Sequence, residues 1–185
     1  MTTVTPLSEL TGDYSLDAAG TTLAFIARHT MGSRVPGHFD EFDGSAHLDG
    51  DDPARSSVRL TIKAASIDTG NQKRDDHLRT AFFDVAGHPV ITFVSTAVRH
   101  VGGSGFEVTG DLTIRSVTKP VRVAVELVDA RPGADGVRTG FTGAVSLNRL
   151  RWGVNENLAT RLMVGSKVTL QLTVAASRQG GSPAR

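Results

Sequence analysis

The sequence predicts an all-β protein, an extended eight-stranded antiparallel β-barrel with one short helix. Three observations carry this. From residue 13 onward apolar residues recur with period two, as half-buried strands require. Clusters of Gly, Asp and Pro separate the alternating runs at hairpin spacing. One segment alone, residues 71–84, breaks the alternation with a polar, capped, helix-like pattern. So many antiparallel strands in one unit leave two open edges, and closing the sheet on itself removes them.

Taken in chain order, the strands are expected over 21–29, 37–48, 56–68, 90–101, 106–116, 120–130, 137–148 and 166–176. Val58, Leu60 and Ile62 share one face, as do Ile91 with Phe93 and Leu112 with Ile114. Val121, Val123, Val125 and Leu127 alternate with Arg122, Ala124 and Glu126. Val168, Leu170, Leu172 and Val174 alternate in the same way with Thr169, Gln171 and Thr173. Turns are expected at Asp49-Gly50-Asp51-Asp52-Pro53, Gly102-Gly103-Ser104-Gly105 and Arg131-Pro132-Gly133-Ala134-Asp135-Gly136. In 71–84, Asn71 is suited to cap a short helix, and Leu78, Phe82 and Phe83 give it one side to bury. The chain divides into an N-terminal arm (1–12), the barrel (13–176) and a Gly/Ser/Pro/Arg-rich disordered tail (177–185). Strands of about ten residues at ~3.3 Å each span roughly 30 Å, enough to sheathe an extended hydrocarbon.

At 185 residues the chain fits one domain with one core. Lys and Arg number 20 against 19 Asp and Glu, a net charge of +1, so no overall field favours nucleic acid or an anionic membrane. Cysteine is absent, which removes disulfides, thiolate nucleophiles and thiolate metal sites. The N-terminal stretch MTTVTPLSEL has neither a basic start nor an apolar core, and no stretch approaches the ~18 apolar residues of a membrane span. A cytoplasmic location is the resulting expectation.

Several ordered blocks resemble the YceI-like family. They open with Tyr14-x-x-Asp17, Phe25-x-x-Arg28-His29 and Gly37-His38-Phe39-x-x-Phe42-x-Gly44. The most specific follow: Ser66-Ile67-x-Thr69, His77-Leu78, Phe82-Phe83-Asp84 and His88-Pro89-x-Ile91-x-Phe93-x-Ser95. Gly110-x-Leu112-Thr113-Ile114, Val117-Thr118-Lys119-Pro120, Asn148-Arg149-x-x-Trp152-Gly153 and Val164-Gly165 complete the series. The resemblance implies a lipocalin-like barrel, often dimeric, whose hydrophobic channel binds isoprenoids or other long-chain amphiphiles. The chain departs from the family pattern at Ser116 (usually Gly), Trp152 (usually Phe) and His88 (usually Tyr).

The expected function is therefore that of a carrier holding a long-chain lipid, a polyisoprenoid or an isoprenoid-quinone-like molecule, with no catalytic residue and no cofactor. Phe25, Phe39, Phe42, Ile67, Phe82, Phe83, Phe93, Leu112, Ile114, Val145 and Trp152 are the candidate channel residues. Alternation looks the same whether such residues fill a core or line a cavity, since a ligand substitutes for missing side-chain volume. The low aromatic share of 5% and many inward Val, Ile, Leu and Ala lean towards unfilled space. His77 and Arg149 are candidates for a polar headgroup, with a structural tie and a barrel-wall ion pair as the respective alternatives. A metal is not expected: His29, His38 and His47 recur every ninth residue, whereas ligands on one strand face recur every second. Gly102-Gly103-Ser104-Gly105 lacks the Lys-Ser/Thr of a phosphate loop. Two other readings stand beside the carrier: an enzyme acting on an isoprenoid or small stress-related metabolite in the same cavity, and a structural or stress-response protein with a packed core. A homodimer is the expected assembly under the family resemblance.

Overall fold

In a computed structural model of the chain, the residues described are 5–134, 136–154 and 164–180. The alternating runs become eleven strands joined antiparallel in one sheet. They are β1 (Gly12–Leu16), β2 (Thr22–His29), β3 (Arg34–Phe39), β4 (Phe42–Leu48), β5 (Ser57–Lys63) and β6 (Ile67–Asp68). The longer ones follow: β7 (Val90–Gly102), β8 (Gly105–Ile114), β9 (Val117–Gly133), β10 (Gly136–Asn148) and β11 (Val164–Arg178).

Eight of these close a barrel in the order β1-β4-β5-β7-β8-β9-β10-β11, with β11 returning to β1 through Tyr14↔Arg178 and Leu16↔Ala176. The expected eight-stranded barrel is present, with β1 as an added member and with β2, expected as a barrel strand over 21–29, outside the closed ring. The segment 37–48, expected as one strand, breaks at Asp40-Glu41 into β3 and β4. The two halves pair with different partners, β3 with β2 and β6, β4 with β1 and β5. The segment 56–68 likewise breaks into β5, a turn over Ala64–Ser66, and β6. Strand β1 carries only Tyr14 and Leu16 as apolar marks, too short a run to stand out. It shares the free edge of β11 with β2, which pairs with residues 168–173 of β11 while β1 takes 176–178. The barrel also takes in Ser177 and Arg178 from the segment expected as tail, and Gln179 N–H donates to Asp13 O at 2.8 Å. Residues 181–185 of that segment lie outside the described residues.

The two ends of the barrel are built differently. At one end run the β4–β5, β7–β8 and β9–β10 connections. At the other, a helical segment and a turn plug the opening. Asn71 Oδ1 accepts Arg74 N–H at 3.0 Å and starts α1 (Gln72–His77), as its sequence suggests. The helix then widens to a π-type turn over Leu78–Phe82, which drops Phe82 into the core. Asp75, though acidic, is buried, and its carboxylate accepts Thr69 N–H and Thr69 Oγ1–H at 3.0 and 2.5 Å. The β8–β9 turn explains why Ser116 suffices in place of glycine: the left-handed residue is its neighbour Arg115, at φ 56°.

Phe25 and Phe39 meet at a tilt in this end with ring centroids 5.7 Å apart, and Gly37 lies against the tip of the Phe25 ring. A methyl at Gly37 would sit 2.3 Å from Phe25 Cζ, and Phe25 is itself buried. Gly37→Ala should therefore cost roughly 1–3 kcal/mol of stability through overpacking, read as a lowered urea midpoint at unchanged slope.

Candidate functional site

Inside the barrel lies a cavity of about 250 Å3. Its walls are inward-facing aliphatic positions such as Leu23, Leu60, Val98, Val108, Val121 and Val123, with Phe93 and Phe141 among them. The alternation that marks these strands places every second residue here and leaves Arg122, Ala124 and Glu126 outside. The polar members that are buried are already satisfied. Tyr14 hydroxyl donates to Leu10 O at 2.9 Å, and Thr139 Oγ1 reaches Ala176 O at 3.4 Å. Ser56 Oγ, near one end, accepts Asp49 N–H at 2.9 Å. Among the described residues, the fully buried hydroxyls of the lining are thus bonded within the protein, and most of the interior surface is hydrocarbon.

A strap crosses the end where Asp49 and Ser56 lie. Residues 5–11 run from β9, where Thr5 Oγ1 donates to Ala130 O at 3.0 Å, to the β4–β5 turn, where Thr11 Oγ1 accepts Gly50 N–H at 3.0 Å. In the ring order β9 and β4 stand on opposite sides, so the strap spans the opening, and Leu7 and Leu10 face the cavity. Arg178 Nη1 donates to Glu9 O at 3.1 Å and holds its middle. Gly50 makes the close approach possible, since a Cβ there would stand 1.6 Å from Leu7 O.

The opposite end is blocked. Trp152 is 1% exposed, and its indole Nε1–H donates to Leu112 O at 2.9 Å. Behind it pack Phe82, Ile91, Ala64 and Val154. Arg149 is 7% exposed. Its Nη1 donates to Val154 O at 2.9 Å, its Nε donates to Gly165 O at 3.1 Å, and its guanidinium lies 5.6 Å from the Phe82 ring centre. A charge so deep is held by backbone carbonyl oxygens and a ring face, and it knits the plug together.

The sequence-derived candidates therefore fall into groups. Phe93, Leu112 and Val145 line the cavity. Trp152, Phe82 and Arg149 form the plug, joined by Phe83, whose ring meets Phe39 edge-on at 6.2 Å. Phe25 meets Phe39 at a tilt and Ile67 is buried beside it, opposite Phe39 across the β3–β6 pair. Ile114 packs on the core next to the plug. His77 is exposed and turns its ring edge to Phe82 at 5.8 Å, away from the cavity wall. Phe42 is half-buried opposite Ile62 on β4. Missed by the sequence reading were the strap residues Leu7 and Leu10 and the wall residues of β9 and β11. Leu7 and Leu10, three apart in a short turn, carried no strand pattern. The wall valines and leucines had the right alternation but nothing to separate them from a filled core.

Two other polar features lie on the outside of the barrel. A groove of about 400 Å3 on the outer wall is lined by Asp13, Ser15, His47, Ser57 and Arg59. There His47 Nδ1 lies 2.7 Å from Asp13 Oδ1, and Gln179 Nε2 donates to Ser15 Oγ. His38, Asp40 and Asp68 bring ligand atoms within 4.8 Å of one another. All three are already engaged: His38 Nε2 meets Asp40 Oδ1 at 2.9 Å, and Asp68 Oδ1 accepts Gly70 N–H at 2.7 Å.

Strand closure, plug and apolar interior together define a lipocalin-like β-barrel. The YceI-like domain family matches residues 14–176, and the chain belongs to that family. The UPF0312 protein of Azotobacter vinelandii is 34% identical over 174 residues, covering 92% of this chain and 89% of that one. The crystal structure of BcnA from Burkholderia cenocepacia superposes with a TM-score of 0.79 at 27% identity, over 88% of this chain and 99% of that one. A polyisoprenoid binding domain from Saccharophagus degradans shares the fold, with a TM-score of 0.66 at 18% identity over 89% and 98% of the two chains. Among the described residues, no helix is long and apolar enough to cross a membrane.

Burial pushes the Tyr14 phenol above its ordinary value of 10.0, with the nearby Arg178 charge opposing in part. Below that ordinary value both folded and unfolded chains keep the proton, and this group leaves stability flat. As pH rises past it the unfolded chain deprotonates first, so stability falls. Melting temperatures across the alkaline range should show this loss in the native chain and a smaller one in Tyr14→Phe.

Proposed function

We propose that this protein binds and carries a long-chain lipid, a polyisoprenoid or isoprenoid-quinone-like molecule, with its hydrocarbon inside the barrel. The observation that carries the reading is the interior cavity of about 250 Å3 whose buried hydroxyl groups are already bonded within the protein. Such a surface gains on the order of 0.8 kcal/mol for each CH2 it takes from water and offers nothing to a buried charge. Family membership supports the ligand class, and the Saccharophagus degradans fold neighbour carries that class in its name. Binding is favoured over catalysis because no activated nucleophile or acid–base pair faces this cavity among the described residues. The polar end of the ligand belongs at the strap, because the two headgroup candidates at the plugged end do not line the cavity: Arg149 is bonded to carbonyl oxygens and His77 is exposed outside it.

Native mass spectrometry of the gently purified protein, followed by organic extraction, tests the reading. A stoichiometric long-chain species supports it. No retained species, and no uptake of added polyprenyl phosphates or quinones, overturns it. Phe93→Asp, kept only if folded by circular dichroism, should lose ligand retention at least tenfold, because the new carboxylate would face the hydrocarbon. Gly50→Ala should push the strap off the β4–β5 turn and speed ligand exchange several-fold while leaving the walls intact. A cytoplasmic setting and a homodimer belong to the same proposal, and are checked by fractionation of cells and by sedimentation of the purified protein.

A further inference from the structure

We infer that Trp152 sets the length of the hydrocarbon chain this barrel holds, and that the chain lies with its apolar terminus towards Trp152 and its polar end under the strap. The inference rests on the lipid-binding reading and goes beyond it in naming the stop, the direction and the kind of chain.

The stop is visible in the packing. Leu112, Val121 and Val123 line the cavity and belong to one buried cluster with Trp152, whereas Trp152 itself, Phe82, Ile91, Ala64 and Val154 are in that cluster and do not line it. Trp152 therefore stands in the solid core directly behind the lining residue Leu112, and it is the bulkiest side chain backing this end of the cavity. Its bond to Leu112 O pins the indole to β8, a wall strand. The turn that carries it is fixed as well. Asn148 Oδ1 accepts Leu150 N–H at 3.1 Å at its start, Gly153 closes it in the left-handed conformation at φ 68°, and Arg115 Nη1 donates to Gly153 O at 3.0 Å. A side chain held at both its ring and its backbone cannot swing aside without breaking those bonds.

Volume gives the kind of chain. About 250 Å3 falls just under the ~300–1,000 Å3 of sites that enclose drug-sized ligands, so the cavity suits one hydrocarbon chain of moderate length. A much longer chain would need the space that Trp152 and Phe82 fill. Direction follows from polarity. At the plug end the indole N–H is engaged and the lining is Leu112, Val121, Val123 and Val145, so a headgroup there would lose its water without compensation. At the strap end Asp49 and Ser56 border the cavity.

Trp152 is the single tryptophan of the chain, so its emission reports on the stop alone. Native mass spectrometry with fatty acids from octanoate to eicosanoate, and with prenyl alcohols of matching lengths as a second arm, gives the longest chain taken up. The two arms tell an acyl from a prenyl source. The wild type should show a sharp upper limit, and Trp152→Ala should raise it by several carbons. An unchanged limit in a folded Trp152→Ala overturns the inference while leaving lipid binding standing. Uptake of neither series by the wild type overturns lipid binding itself. Direction is read on the wild type, so it survives any folding defect of the variant. Palmitate brominated at its terminal carbon should quench Trp152 several-fold more than palmitate brominated beside its carboxylate, and equal or reversed quenching overturns the assigned direction. Should Trp152→Ala fail to fold, Trp152→Phe takes its place, with a smaller rise expected and no rise counting against the stop.

Discussion

The free edge of β11 is the constraint on which the rest of the molecule depends. A strand of fifteen residues presents more hydrogen-bonding edge than any one short partner can cover, and an uncovered edge invites pairing with another chain. Here two strands share it: β1 takes Ala176 to Arg178 and closes the barrel, while β2 takes 168–173 and starts the sheet extension that carries β3 and β6. Closing at one end and splaying at the other produces a tube whose two openings differ. One is crossed by the seven-residue strap, residues 5–11. The other is wide enough to require a plug of aromatic side chains, a helical segment and a buried arginine.

That asymmetry gives the interior its chemistry. The plug gathers the bulky residues, and the middle of the tube is left to valine and leucine, which cannot fill a barrel of this girth. Void in such a place is costly for the free protein, because its lining forgoes dispersion contacts that a ligand would restore. The buried hydroxyls of Tyr14 and Thr139 bond to the backbone around them, so the void presents itself as hydrocarbon. Arg149, the one buried cation described, is spent on carbonyl oxygens and on Phe82, and this keeps its charge from the cavity.

Much of the barrel was legible in the sequence because the period-two pattern and the turn residues are local signals. Strands β7 to β11 and the Asn71 cap follow from residues within a few positions of one another. The breaks at Asp40-Glu41 and at Ala64–Ser66 do not, since both depend on which distant strand each half pairs with. Of the candidates picked from the sequence, Phe93, Leu112 and Val145 are the ones that line the cavity. Selecting aromatic residues favoured the plug, where large rings are needed to fill volume, over the wall, where aliphatic residues leave it open. The strap went unread because Leu7 and Leu10 acquire meaning only from the opening they cross.

By itself, then, the sequence determined the strand class, the hairpin turns, the helix cap and the family, all of which rest on spacing between near neighbours. The tertiary structure alone decided that β1 completes the ring, that Arg149 faces carbonyl oxygens, and that Trp152 packs in the plug behind the cavity wall. Each of these depends on where residues far apart in the chain meet, and alternation along one strand reads the same above a filled core as above an empty one.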